Sequence, residues 1–454
     1  ELLQRDAAAQ QRALNDFADL GADTVRSLVY WNQIAPDPGN RRRPKDFDAK
    51  NPAAYDPANW DRYDDLVRGV TARGMGLFFS PTAPIPLWAS DCSTKNAERR
   101  KTCKPDAKMF QDFLTALGTR YSGTYNDENQ GGGVLPRVGR WSIWNEPNQP
   151  GWLTPQYELK AGRKIPTAAN RYRSLVQAAV RGLKASGHGS DEIMLGETAP
   201  IGRTAGTLSR RAMPPVDFIR ALLCLDSRGR KLSGAVAKAN GCTGMKRLGV
   251  TSYAHHPYTR GGSRPPRSSV LSGEITISSS SRLKTLLAQG ARRGRLARNL
   301  PIHYTEFGFQ TNPPDPDFGA RIAQVPRFWS LSELWFSYSN RRVKSISQYT
   351  MNDAPGDPSL WQSGLRFADG TPKENIYLNY RLPILVRQLG PNAVEVRGAA
   401  RAGGRGARVQ IYQRGKRGPF KAIGPEMTVR NVRGYFVSRF PIKRAAIRTF
   451  RFTA

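Results

Sequence analysis

The sequence is poor in the residues that hold metals, with four histidines and four cysteines in 454 residues. The cysteines fall as two close pairs, Cys92 with Cys103 and Cys224 with Cys242, each in a Gly/Ser/Lys-rich stretch that reads as loop. Neither pair has the short spacing of a zinc site, so two local disulfides are the natural reading, ahead of free thiols and of metal. Oxidised loops imply export, to a secreted or cell-surface location. Acidic residues are scarce too, 36 against 70 Lys and Arg, for a net charge of +34. No run of about 18 apolar residues exists, which excludes a transmembrane helix. No internal repeat or heptad is visible, which excludes a solenoid or coiled coil. The chain opens on Glu1-Leu2-Leu3-Gln4-Arg5 without an initiator methionine or signal peptide, as a processed or truncated chain would.

What is present is an ordinary globular composition, 39% hydrophobic and 23% charged. The length suits one barrel of about 250 residues or more with a small companion domain. The positive charge would attract any polyanion. Residues 391–454 hold 15 Lys or Arg against two Asp or Glu, and the remaining excess is spread over the first 390 residues. Such a spread fits either an arginine-biased surface or attraction to an acidic glycan. Nucleic acid is excluded as a partner, because no binding motif accompanies the charge and export would have to be wrong.

Over the first 380 residues helical patterns alternate with short β-rich runs, the signature of repeated βα units around a parallel sheet. Helices are expected near 6–20, 60–73, 106–121 and 167–186. Strands are expected over Ala22–Trp31, Met75–Ser80, Val138–Glu146, Glu192–Gly196, Leu248–Tyr253, Ile302–Glu306 and Val343–Tyr349. These seven leave an eight-stranded barrel one short, and the missing first strand is expected at or before residue 1. Arg260–Ser269 and the serine run at 278–281 read as loop. Beyond residue 383 short alternating runs such as Arg408–Tyr412 and Arg433–Val437 give a small antiparallel β-sandwich. The expected organisation is a (β/α)₈ barrel over 1–382 and a C-terminal β-sandwich over 383–454.

Two glutamates stand at strand ends: Glu146, in Trp144-Asn145-Glu146-Pro147, and Glu306, in Tyr304-Thr305-Glu306-Phe307-Gly308. Catalytic groups of parallel barrels sit at the carboxyl ends of strands. A carboxyl pair about 5 Å apart is what glycosidic cleavage with retention needs. Residues two apart in a strand share a face, so Trp144 should point with Glu146 and Tyr304 with Glu306.

The two glutamate motifs resemble the acid/base and nucleophile motifs of the glycoside hydrolase clan containing families 5, 39 and 51. Their separation suits the fourth and seventh strands, where that clan carries its glutamates. The resemblance runs over roughly residues 6–382 and includes further elements. Arg26 is similar to the clan's second-strand arginine near the nucleophile. His256-Pro257-Tyr258 resembles its His-x-Tyr element, whose tyrosine bonds the nucleophile, and Asn145 matches the asparagine that bonds the neighbouring sugar hydroxyl. Gly364-Leu365 with Asp369–Lys373 looks like the segment after its eighth strand. The resemblance implies a retaining O-glycosidase with Glu146 as acid/base and Glu306 as nucleophile, acting on a carbohydrate without cofactor or metal. One departure is Tyr349, which stands where many relatives place a platform tryptophan, with Trp361 beyond it.

Aromatic rings present apolar area to the faces of sugars, which makes Trp31, Trp88, Trp152, Trp361 and Tyr349 candidates for subsites, Trp152 foremost. Core packing is the alternative for each tryptophan. Arabinofuranosidase and transglycosylase activities share the same intermediate, and a non-catalytic glycan binder on the barrel scaffold is the reading from another class. Loops 84–105, 149–166 and 199–215 would decide the sugar.

Overall fold

The structure is a computed structural model that describes all residues except 1, 2, 4, 5, 129–132, 204, 312–324, 356–360, 402, 443–448 and 454. Seven strands, β1 (Thr24–Tyr30), β2 (Gly76–Thr82), β3 (Arg140–Ile143), β4 (Glu192–Thr198), β5 (Ser252–His255), β6 (Ile302–Phe307) and β7 (Val343–Gln348), form one parallel sheet in chain order. Parallel neighbours need a crossover, and helices supply it. Helix α1 (Ala7–Asp19) precedes β1, and α2 (Asp61–Ala72), α3 (Ala107–Arg120), α4 (Thr167–Ala185), α5 (Pro215–Leu222) and α6 (Ser280–Arg292) fall between successive strands. Helix α7 (Pro326–Leu331) continues as a π-helical turn, Ser332–Ser337, before β7, and α8 (Glu374–Arg381) follows it.

Local chemistry explains the starts of these elements. Asp6 caps α1 by accepting the Ala8 N–H, and Asp106 caps α3 by accepting that of Met109. In β1, Val25, Ser27 and Val29 alternate into the layer between sheet and helices. That layer is the main core, with Trp31, Trp60, Tyr63, Phe79, Phe113 and Trp141 among its large buried rings. The sheet curls into a barrel. From β1, Arg26 reaches across the interior to Glu197 on β4 and Glu306 on β6.

The eighth, first-in-order strand expected at or before residue 1 lies outside the described residues. Strands β1 and β7 are not paired with each other, and a cavity of about 710 Å³ runs between them. Inward residues Arg140, Glu192 and His303 line its floor, and Leu3, Phe17 and Tyr380 are among its walls.

The C-terminal strands are β8 (Ile384–Gly390), β9 (Ala393–Ala399), β10 (Arg408–Arg414), β11 (Lys421–Ala422), β12 (Met427–Thr428), β13 (Tyr435–Pro441) and β14 (Thr449–Thr453). Antiparallel β8-β9-β13 forms one sheet, and β11, β12 and β14 all pair with β10 in the other. Val394, Val396, Val409, Ile411, Phe436 and Phe452 close a core between them. This sandwich contacts the barrel beside β7 and ahead of β1. Tyr435 donates to Glu333 (2.7 Å) and stacks on Tyr338 (4.3 Å), and Arg401 also pairs with Glu333. Arg433 donates to the Lys344 carbonyl beside β7 and lies 3.7 Å from Asp23 ahead of β1.

Three expectations need correction. The serine run is not loop: Ile277–Ser279 is a 3-10 turn with a capping box at Thr276, and α6 starts at Ser280. The strand expected over Leu248–Tyr253 begins only at Ser252, because Leu248 and Val250 are buried ahead of the first ladder pair, Ser252 with Met194. Trp144 and Glu146 do not point together. Strand β3 ends at Ile143, Trp144 turns to φ 70° and packs its ring edge-on to Phe110 of α3, 5.3 Å away.

The sulfur atoms of Cys92 and Cys103, and of Cys224 and Cys242, lie at disulfide distance, with no free cysteine. Among the described residues no helix is long and apolar enough to cross a membrane.

Candidate active site

The carboxyl ends of the strands bring one charged cluster together. Arg26, midway along β1, is buried, and its guanidinium serves three acceptors. Its Nε and Nη2 grip Glu197 at 2.9 and 2.7 Å, Nη1 donates to Glu306 Oε1 at 2.7 Å, and Nη2 also donates to Asn145 Oδ1 at 2.7 Å. Burial works against its charge, but Glu197 and Glu306 together hold the guanidinium above its ordinary value.

Glu146 follows β3 in the left-handed region, φ 37°, with its N–H on the Glu197 carbonyl at 3.1 Å. Its Oε1 lies 3.0 Å from His256 Nδ1, which is also 3.4 Å from Glu306 Oε2. The histidine therefore stands between the two carboxyl groups. Burial raises the Glu146 carboxyl above its ordinary value; the charge of Glu306 adds to this, and His256 and Arg26 oppose it. For His256, burial favours the neutral ring, but Glu306 and Glu146 outweigh it and raise the imidazole. Its neighbour His255 behaves differently. It hydrogen-bonds Thr198 and the Ile275 carbonyl, and burial lowers it to about 3, as for a structural histidine.

Glu306 accepts from Tyr258 Oη on Oε2 at 3.2 Å as well as from Arg26 on Oε1. Its orientation comes from a bulge. Tyr304 pairs with Ile346 and Phe307 with Gln348, so β6 carries one residue more than β7 over this step. Bulges re-aim side chains at barrel rims. Tyr304 therefore sits fully buried in the core while Glu306 faces Arg26.

Burial and then the charge of Glu306 raise the phenols of Tyr258 and Tyr349. Trp361 meets Tyr258 edge-on at 5.1 Å and Tyr349 at 6.4 Å, and donates its indole N–H to Ser363. Among the described residues, Glu146, His256 and Glu306 are the trio whose ligand atoms lie within 4.8 Å of one another, close enough to share an ion. Arg26 and Tyr258 already engage both oxygens of Glu306.

The structure thus gathers Arg26, Asn145, Glu146, His256, Tyr258 and Glu306, with Tyr349 and Trp361 beside them. Trp31 is excluded. It is fully buried, stacked on Phe113 at 5.5 Å and edge-on to Trp88 at 6.0 Å, because it begins a short helix whose side chains turn into the core. Trp88 is in the same layer, 6% exposed, and its indole donates to the Pro36 carbonyl. Trp152 is half-buried against the core, its carbonyl accepting from the Trp144 indole.

Sequence reasoning passed over Glu197 and Tyr30. Both stand at strand ends, the signal that singled out Glu146 and Glu306. Glu197 is hidden because the apolar run ends at Gly196, two residues short of the strand's end at Thr198, and Tyr30 resembles any aromatic in a β run.

No known family matches the sequence, and no curated protein does. Solved structures of similar shape include the β-glycosidase of the hyperthermophile Thermosphaera aggregans, 16% identical, with 82% of this chain and 83% of that one covered, TM-score 0.49. Another is the β-glucosidase of Pyrococcus furiosus, 15% identical, 82% of each chain covered, TM-score 0.49. A GH30 endoxylanase from Clostridium papyrosolvens is 13% identical over 97% of this chain and 92% of its own, TM-score 0.45. At these values the likenesses say nothing about chemistry, which has to come from the site.

Proposed function

We propose that the protein is a retaining glycoside hydrolase that cleaves O-glycosidic bonds of an oligo- or polysaccharide by double displacement. One observation carries the reading: the facing atoms of Glu146, His256 and Glu306 lie within 4.8 Å of one another. Retaining enzymes hold their carboxyl groups about 5 Å apart, whereas inverting enzymes need about 6.5–9.5 Å to admit water between them. The two glutamates also differ in surroundings. Glu146, raised by burial, suits the proton donor to the leaving oxygen. Glu306, gripped by a guanidinium and a phenol, suits the group that attacks the anomeric carbon. The glycosyl ester on Glu306 is then hydrolysed by a water that Glu146 deprotonates, which regenerates both groups. The net charge of +34 favours an acidic glycan as substrate, and the two cysteine pairs favour work outside the cell.

A panel of activated fluoro-glycosides, followed by mass spectrometry of the digested protein, tests this. One sugar is expected to label the peptide carrying Glu306, and Glu306→Gln to abolish labelling. Turnover of any glycoside with inverted configuration in the first-formed product would refute the reading. So would a protein that no sugar labels and whose glycan binding is indifferent to Glu306→Gln.

A further inference from the structure

Glu197 is a third carboxylate at a strand end, fully buried, and neither step of double displacement uses it. Its backbone is held in an unusual way. Gly196 pairs with Ala254 and Thr198 with His255, so Glu197 is the extra residue of a bulge at the end of β4, with φ 49°. Gly196 has φ 118°, and a Cβ there would come within 2.4 Å of the Ala254 carbonyl. Only glycine fits, so the Gly196-Glu197 pair is what lets the chain present this side chain inward.

We propose that Glu197 is the positioning residue of the site, orienting Arg26 with its carboxylate and Glu146 with its carbonyl, so that one bulge sets both working carboxyl groups. This rests on the glycosidase reading for the roles of Glu146 and Glu306, but the geometry stands apart from it. The two-point grip on Nε and Nη2 fixes the plane of the guanidinium, which leaves Nη1 directed at Glu306 and the second Nη2 hydrogen at Asn145. Ser80 Oγ donates to Glu197 Oε2 at 2.6 Å and anchors the far side. The carbonyl of the same residue accepts the Glu146 N–H at 3.1 Å.

The charges follow the same logic. Arg26 and Glu197 form a neutral pair, so Glu306 receives a directed hydrogen bond rather than the full field of a cation. The other groups facing Glu306 are Glu146, His256, Tyr258, Tyr30 and Tyr349, and those facing Glu146 are His256, Glu306, Arg26, Tyr258 and Tyr349. His256 also faces Glu197. In Glu197→Gln the shape and one acceptor remain but the negative charge is gone. The cation is then uncompensated, and Glu146 should titrate lower by about one pH unit.

The experiment is a carbon-13 NMR titration of glutamate-labelled protein, with the resonances assigned through Glu146→Gln and Glu306→Gln. It reads the coupling whether or not any glycoside is cleaved, so its failure is distinct from failure of the glycosidase reading. Glu197→Gln is expected to lower the Glu146 midpoint by about one unit. Arg26→Gln is expected to raise it, and adding Glu197→Gln to it to bring it down again. The double variant buries no unpaired charge from this couple, which keeps the test available should Glu197→Gln alone fail to fold. A Glu146 midpoint that stays in place on adding Glu197→Gln, in either background that folds, would overturn the proposal.

Discussion

Replacing Arg26 by glutamine removes the cation on which the cluster is built, and the structure sets the size and pH dependence of the effect. The side chain is 8% exposed and its partners Glu197 and Glu306 are 0% and 11% exposed, so solvent screens little of the interaction. Removing one partner of such a buried pair costs about 3–5 kcal/mol. At roughly 2 °C per kcal/mol for a large chain, the melting midpoint at pH 7 should fall by about 6–10 °C.

The sign of the pH effect follows from Glu197. Burial alone would raise its carboxyl, but Arg26, His256 and Ser80 hold it below the ordinary 4.5. In the parent protein this pair therefore contributes its full stability above pH 4.5, and loses it as the pH falls through the lowered folded value. Without Arg26, burial becomes the leading influence on Glu197, and protonation relieves the variant. The deficit should be largest near pH 8 and shrink steadily toward pH 5. Differential scanning fluorimetry of both proteins at one scan rate and fixed ionic strength reads this directly. A midpoint within about 2 °C of the parent at pH 7, or a deficit independent of pH, would refute the reasoning.

Three further outcomes are expected. Trp31→Ala should cost about 3–5 kcal/mol in stability and leave the KM of the folded enzyme unchanged, as read by denaturant melts alongside kinetics; a KM rise without loss of stability would return Trp31 to the sugar. Tyr258→Phe removes one hydrogen bond to Glu306 and keeps the ring, so kcat/KM should fall about 10–100-fold with little change in melting. Opening Cys224–Cys242, which closes a segment 18 residues apart, should lower stability by about 3 kcal/mol, seen as a lower denaturant midpoint for the double serine variant.

Much of the fold was legible because burial imposes periodicity. The helices expected near 6–20, 60–73, 106–121 and 167–186 begin and end within two residues of Ala7–Asp19, Asp61–Ala72, Ala107–Arg120 and Thr167–Ala185. Six of the seven strands were legible as apolar runs. The exception, β5, shows the limit: Leu248 and Val250 are as apolar as a strand, yet they pack ahead of the ladder, a distinction only pairing reveals.

The site was legible where a carboxylate sat next to a motif, at Glu146 and Glu306, and illegible where a bulge turned the chain. Glu197 and the orientation of Glu306 both depend on one extra residue opposite a neighbouring strand, which no local pattern announces. The tryptophans divide for a similar reason. An indole suits a sugar face and a protein core equally well, so composition could not separate Trp31 from Trp361.

The charged cluster draws on three strands of the sheet, β1, β4 and β6, and on the turn after a fourth, β3. Glu306 belongs to β6 and Glu146 stands in the turn after β3, two strands that are each hydrogen-bonded on both sides. Arg26 rides on β1, and its guanidinium reaches Glu306 on β6 and Asn145 in the turn after β3. A single guanidinium therefore ties β1, β4 and β6 together and reaches the turn after β3 through Asn145, so the spacing of the carboxyl groups and the charge between them share one fastening.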